Sequence, residues 1–188
     1  MDQVRGPQER SFRHAGRSRA QVRMARVGIS LGSNLGDRIV HLRAAIERLA
    51  PLRSSDHLLL SPVFETEPVD CPEGSGAFYN AVVEIETTLP PLELLAATQA
   101  IERAMGRPEV RMVNAPRTVD LDLLYYDNLT MRSPGLELPH PRMFLRAFVL
   151  KPLAAIRPDL VPTGALESAD DTGVCIAAET LADSNPAE

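Results

Sequence analysis

Between residues 26 and 126 the apolar residues switch between two periods, and the order of those switches restricts the fold more than any single motif. Val27, Ile29 and Leu31 recur every second residue, the period of a half-buried strand. The run stops at Gly32-Ser33-Asn34-Leu35-Gly36-Asp37. Ile39, Leu42, Ile46 and Leu49 then follow at helical spacing, with Asp37 placed to cap the helix and Pro51 to close it. A second strand is expected around His57 to Glu65 and a third over Ala77 to Thr87. In the third, Phe78, Asn80 and Val82 face one way and Tyr79, Ala81, Val83 and Ile85 the other. Pro90 and Pro91 open a helix that runs to Met105 and stops at Gly106. A last strand, Val119 to Tyr126, sets Val119, Leu121, Leu123 and Tyr125 against Asp120, Asp122, Leu124 and Tyr126. The order β-α-β-β-α-β predicts an α+β chain, a ferredoxin-like antiparallel sheet with packed helices.

That last strand also carries the chemistry. Side chains two apart share a face, so Asp120 and Asp122 lie roughly 6–7 Å apart. Two adjacent carboxylates repel, and a strand tolerates them when a hard cation such as magnesium lies between. Arg117, held by Pro116, adds a fork matched to phosphate oxygens. The same residues also fit a solvated face with a surface ion pair, and the pattern alone leaves the two readings level.

Composition narrows the field. A chain of 188 residues with 44% hydrophobic content buries one good core. No apolar run approaches the roughly 20 residues of a membrane span, so no membrane partner is expected. Cys71 and Cys175 show neither metal spacing nor a disulfide framework, which points to the cytoplasm. Residues 1–26 carry a net charge of +5, residues 166–188 carry −6, and the core between them carries −4. An acidic core argues against nucleic acid as the main partner. Residues 1–25 read as a disordered arm, or as sequence preceding a true start at Met24. Residues 26–165 form the single domain, and 166–188 an acidic tail too poor in periodic apolar residues to pack. Deleting residues 1–23 and 168–188 is expected to leave activity and the melting temperature nearly unchanged.

No P-loop and no G-x-G-x-x-G follows a strand. The Gly-Ser-Asn-Leu-Gly-Asp loop could cradle a ligand through backbone N–H groups, though alone such a loop is more often a turn. His140, fixed between Pro139 and Pro141, suits either a structural role or a phosphate donor. Gln99 and Glu102 share a helix face that would by default be solvated. In series the pieces stop being generic: Ile29-Ser-Leu-Gly-Ser-Asn-Leu-Gly-Asp37, Phe78-Tyr-Asn-Ala81, Gln99-Ala-Ile-Glu102, Gly106-Arg107, Pro116-Arg-Thr-Val-Asp-Leu-Asp122 and Pro139-His140. That ordered set resembles the 6-hydroxymethyl-7,8-dihydropterin pyrophosphokinase family over about residues 26–165. The resemblance implies an ATP-dependent diphosphotransferase of folate biosynthesis that passes pyrophosphate from ATP to a pterin alcohol.

By motif, the resemblance implies that Asp120 and Asp122 bind two Mg²⁺ ions, and that Arg107, Arg117 and Arg146 engage ATP and the pyrophosphoryl group. His140 would contact phosphate, and Gln99 and Glu102 would lie at the nucleotide. The pterin would stack between Phe78 and Phe148, with Asn80 reading its edge and Thr66, Pro68 and Val69 supplying backbone contacts. The chain departs from the family pattern at Glu109, Asn114 and Pro141, and Arg111 is a candidate to replace a missing arginine. The physics agrees with the resemblance, because phosphoryl transfer needs positioning and charge neutralisation more than covalent help. A monomer acting on ATP and the pterin is expected. Two other readings use the same sheet, an RNA-binding module and a regulatory ligand sensor. Only eight Phe and Tyr residues and the acidic core weaken the first, and the aspartate pair beside Arg117 weakens the second.

Overall fold

The computed structural model describes residues 23–68, 72, 74–107, 115–169 and 173–181. Its elements in chain order are β1 (Ala25–Ser33), α1 (Arg38–Leu49), β2 (Leu58–Leu60), β3 (Phe64–Thr66), β4 (Phe78–Thr87), α2 (Pro91–Ala104), β5 (Asp120–Tyr126), β6 (Met131–Ser133), β7 (Leu136–Leu138), α3 (Ala147–Ile156), α4 (Ala165–Ser168) and β8 (Val174–Ile176). The main sheet runs β5-β1-β4-β3-β8, with β2 also paired to β4, and the pairings are antiparallel. Strands β6 and β7 form a separate hairpin. The first six expected elements are present in the ferredoxin-like order. The Asp37 side chain accepts from the Val40 N–H at the start of α1, and the helix gives way to a 3₁₀ turn containing Pro51.

One face of the sheet is apolar. Val27, Ile29 and Leu31 from β1, Tyr79, Ala81, Val83 and Ile85 from β4, and Leu121 and Leu123 from β5 pack with Leu42, Ala45 and Leu49 of α1 and Leu94 and Ile101 of α2. Each fully buried leucine or isoleucine there is worth about 1.5–3 kcal/mol relative to exposure. The other face divides in two. Its lower half buries Val82, Leu124 and Tyr125 against Met143, Val149 and Leu153, the last two from α3. Its upper half is polar and carries the site.

Three expectations need correction. The second strand is two short ones, β2 and β3, lying end to end beside β4. Pro62 separates them because it has no N–H to donate, and the Ser61 hydroxyl takes the Val82 N–H at 2.9 Å instead. The aspartate strand also loses its simple alternation. The register shifts opposite Gly28 and Ile29, so Leu123 pairs with Ile29 while Tyr125 pairs with Gly28. The extra residue turns Tyr125 away from the helices onto the face shared with α3. There its ring crosses Gly28, where a Cβ would stand 2.1 Å from the ring.

The third correction concerns the acidic tail, which is not wholly peripheral. β8 adds to β3, Leu181 is buried in the main core, and the Arg43 guanidinium donates to the Thr180 carbonyl at 2.9 Å. A few apolar residues suffice here because the sheet offers a ready edge to pair with. Removal of residues 173–181 is therefore expected to lower the melting temperature.

Candidate active site

On the polar half-face, three neighbouring strands present their residues in register. Asn80 on β4 lies opposite Gly32 on β1, and Gly32 lies opposite Asp120 on β5. Two residues along, Ser30 separates Val82 from Asp122. The central strand thus contributes only small residues to this face. A Cβ on Gly32 would stand 3.2 Å from the Asn80 Oδ1 and 3.9 Å from both the Asp120 Cβ and the Phe78 ring. Glycine here keeps the floor open between an amide and a carboxylate pair.

Arginines converge on the carboxylates from two loops. Arg107 lies 2.6 Å from Asp120 and also pairs with Glu102, while Arg117 lies 3.2 Å from Asp120. Glu102 is buried and accepts the Leu121 N–H at 2.7 Å, so it tethers α2 to the edge strand β5. Its default reading as a solvated helix residue is therefore wrong, because the helix turns that position onto the strand. Gln99, one turn earlier, is exposed. The Arg117 backbone is clamped by Asn34, whose Oδ1 accepts the Arg117 N–H at 2.8 Å and whose own N–H donates to the Arg117 carbonyl at 3.2 Å. The glycine-bounded loop after β1 thereby sets the position of an arginine far away in sequence.

Burial, with Asp120 beside it, pushes the Asp122 carboxyl up to about 6 against the pull of Arg117, Arg107 and Arg146. Burial likewise raises Glu102 to about 7, although the Leu121 amide and Arg107 oppose it. Groups so perturbed beside charge partners in one place are functional-site candidates. His140 is held below its ordinary value, first by burial and then by Arg146 and Arg142, so near pH 7 it is mainly neutral. Its backbone N–H donates to the Leu124 carbonyl at 2.7 Å, which ties the histidine loop to β5 at the register shift.

The pterin candidates fall on the same side. Asn80 is buried and its Nδ2 donates to the Thr66 Oγ1 at 2.7 Å. The Arg117 guanidinium lies 5.6 Å from the Phe78 ring centroid, and that of Arg146 lies 5.3 Å from the Phe148 ring. Arg146 is the N-cap residue of α3 and Phe148 its second residue, so one helix end delivers both. Pro68 is half-buried beyond β3. Val69, Glu109, Arg111 and Asn114 lie outside the described residues.

Among the described residues no group of three or more His, Cys, Asp or Glu side chains could hold a metal. Two carboxylates on one face still fit Mg²⁺, which dehydrates reluctantly and takes its other ligands from water and phosphate. Sequence reasoning missed Asn34, Gly32 and Ser30. The run of small residues alternating with Ile29 and Leu31 was the available signal for the last two.

Paired carboxylates under an arginine cluster, on a ferredoxin-like sheet, are an arrangement suited to handling phosphoryl groups. The sequence profile of the 7,8-dihydro-6-hydroxymethylpterin-pyrophosphokinase family matches residues 28–158, and the chain belongs to that family. The 2-amino-4-hydroxy-6-hydroxymethyldihydropteridine pyrophosphokinase of Bacillus subtilis is 42% identical over 147 residues, 78% of this chain and 86% of that protein. The enzyme of the same name from Porphyromonas gingivalis is 45% identical over 142 residues, 74% of this chain and 95% of that protein. Among solved structures, wild-type HPPK-DHPS of Plasmodium falciparum is similar in fold, with a TM-score of 0.53 at 14% identity over 72% of this chain and 41% of that one. The activity is ATP-dependent pyrophosphate transfer to 6-hydroxymethyl-7,8-dihydropterin, in folate biosynthesis.

Proposed function

We propose that this chain carries out that transfer on the polar half-face of its sheet. The observation that supports the reading is the register Asn80–Gly32–Asp120, which sets an amide and a carboxylate one strand either side of an open floor. The pterin ring stacks between Phe78 and Phe148, Asn80 bonds its edge, and Thr66, Pro68 and Val69 line the same side. Its hydroxymethyl oxygen then points toward Asp120 and Asp122.

Asp120 and Asp122 would hold two Mg²⁺ ions, which neutralise the triphosphate and make the alcohol a better nucleophile. The oxygen attacks the β-phosphorus of ATP, the bond to the α-phosphate oxygen breaks, and AMP leaves. Arg107, Arg117 and Arg146 stabilise the charge that builds on the transferred group. His140, mainly neutral, donates a hydrogen bond to phosphate. Gln99 and Glu102 flank the nucleotide, and Glu102 holds Arg107 in reserve until ATP draws it away. The chain acts as a cytoplasmic monomer on small molecules, without nucleic-acid or membrane partners. Among the described residues no helix is long and apolar enough to cross a membrane.

The direct test is an assay with ATP, Mg²⁺ and 6-hydroxymethyl-7,8-dihydropterin. AMP and the pterin diphosphate should appear in equal amounts. Release of ADP, or AMP release that ignores the pterin, would exclude the mechanism. Asn80→Ala should raise the pterin KM about tenfold and leave the ATP KM within about twofold, since one buried hydrogen bond to the ring is lost. Equal changes in both constants would move Asn80 out of the pterin site.

A further inference from the structure

We propose that residues 173–181, beyond the 28–158 region that matches the family, act as a positioning element for the pterin site. This rests on the assignment of Thr66 and Asn80 to the pterin. β3 is three residues long, and on its inner side it pairs only with β4. Alone, so short an edge strand between two loops has little to hold it. β8 supplies the missing neighbour, with Phe64 opposite Ile176, Glu65 opposite Cys175 and Thr66 opposite Val174. The Ala177 N–H extends the pairing by donating to the Val63 carbonyl at 2.8 Å.

The far end of the segment is tied down separately. Leu181 is 6% exposed and packs in the main core, and Arg43 of α1 holds the Thr180 carbonyl. Glu179 lies close enough to Tyr79 for its carboxylate, after burial, to push the phenol upward, and Tyr79 lies between Phe78 and Asn80 on β4. The segment therefore grips β3, β4 and α1 together. Its consequence for the site runs through one bond. Thr66 lies directly across the ladder from Val174, and its hydroxyl takes one Asn80 N–H. With Thr66 fixed, the Asn80 amide is held in one orientation before substrate arrives, and pre-organisation of that kind favours binding. The residues assigned to ATP sit on β5, α2, α3 and their loops, outside this grip.

The test compares the full chain with a truncation after Ala169 and with Leu181→Asp in the full chain. Circular dichroism and melting curves establish that each variant is folded. The pterin KM should rise about fivefold to tenfold, the size expected for one imperfectly made hydrogen bond, with the ATP KM within about twofold. Independently of turnover, the amides of β3 should exchange with solvent faster in both variants while those of β1 and β5 stay protected. If the folded truncation keeps its pterin KM, or if both KM values rise together, the positioning role is overturned. If the truncation does not fold, the Leu181→Asp result decides on the same two criteria. Failure of the full chain itself to release AMP would instead overturn the function, and the exchange data would still decide whether the segment orders β3.

Discussion

Asp122→Asn should lower kcat on the order of 10³-fold, the scale of removing a group that neutralises a transferring phosphoryl. The metal-free variant should be no less stable than the parent at pH 8. The folded-state value of Asp122 is raised, to about 6 from 3.8, so the fold holds its proton more tightly than the unfolded chain does. That contribution is fully present at low pH and is lost as pH rises through about 6. An asparagine carries no charge to lose, so above that pH the variant should gain on the order of 1–2 kcal/mol relative to the parent. Asp120 is different. It accepts both Arg107 and Arg117, and the Arg117 Nε has no hydrogen-bond partner among the described residues. Asp120→Asn should therefore cost about 1–3 kcal/mol as well as turnover. Kinetics in saturating Mg²⁺ and melting curves without metal would check both. A near-normal kcat for Asp122→Asn would rule out its metal role.

The largest loss of stability is expected far from the chemistry. Glu84 is fully buried and accepts hydrogen bonds from the Tyr125 hydroxyl at 2.5 Å, from His57 Nε2 at 2.8 Å and from Arg157. Burial alone would raise its carboxyl, but the bonds from Tyr125, His57 and Arg157 together hold it below the ordinary carboxylate range. Its stabilising contribution is thus present at neutral pH and is lost as pH falls through that lowered value. Glu84→Ala leaves the Tyr125 hydroxyl and His57 Nε2 without their acceptor and Arg157 with Asp159 alone, at a cost of about 3–5 kcal/mol. Adding Tyr125→Phe should recover part of that loss, since the buried hydroxyl goes with its acceptor. Chemical denaturation at pH 7 and pH 4 would read both effects. An equal cost at both pH values would mean that the charge on Glu84 contributes nothing. Because Arg157 caps the C-terminal end of α3, the same network anchors the helix whose other end presents Arg146 and Phe148.

Much of the fold was legible because strands and helices declare themselves by period. Val27, Ile29 and Leu31, the α1 apolar stripe, and the Asp37 cap each follow from local sterics and hydrogen bonding. Asp120 and Asp122 were legible for the same reason, since an alternating strand must put them on one face. What escaped depends on contacts between distant segments. The register shift that turns Tyr125 over is set by its pairing with β1, where Gly28 leaves room for a ring. Glu84 reads as one polar residue in a strand until His57, Tyr125 and Arg157 arrive around it.

The sequence by itself determined the order of elements up to β5 (save that one strand is two), the carboxylate pair and, through its ordered motifs, the family. Those are properties of neighbours along the chain, where spacing alone fixes which side chains share a face. Only the tertiary structure decided that Asn34 clamps Arg117, that Glu102 is buried, and that residues 174–176 complete the sheet. Each of these arises when a hydrogen-bonding group on one element meets an unpaired backbone or charge on another. No local pattern encodes such a meeting, because a buried polar group must find its partner wherever the fold has left one.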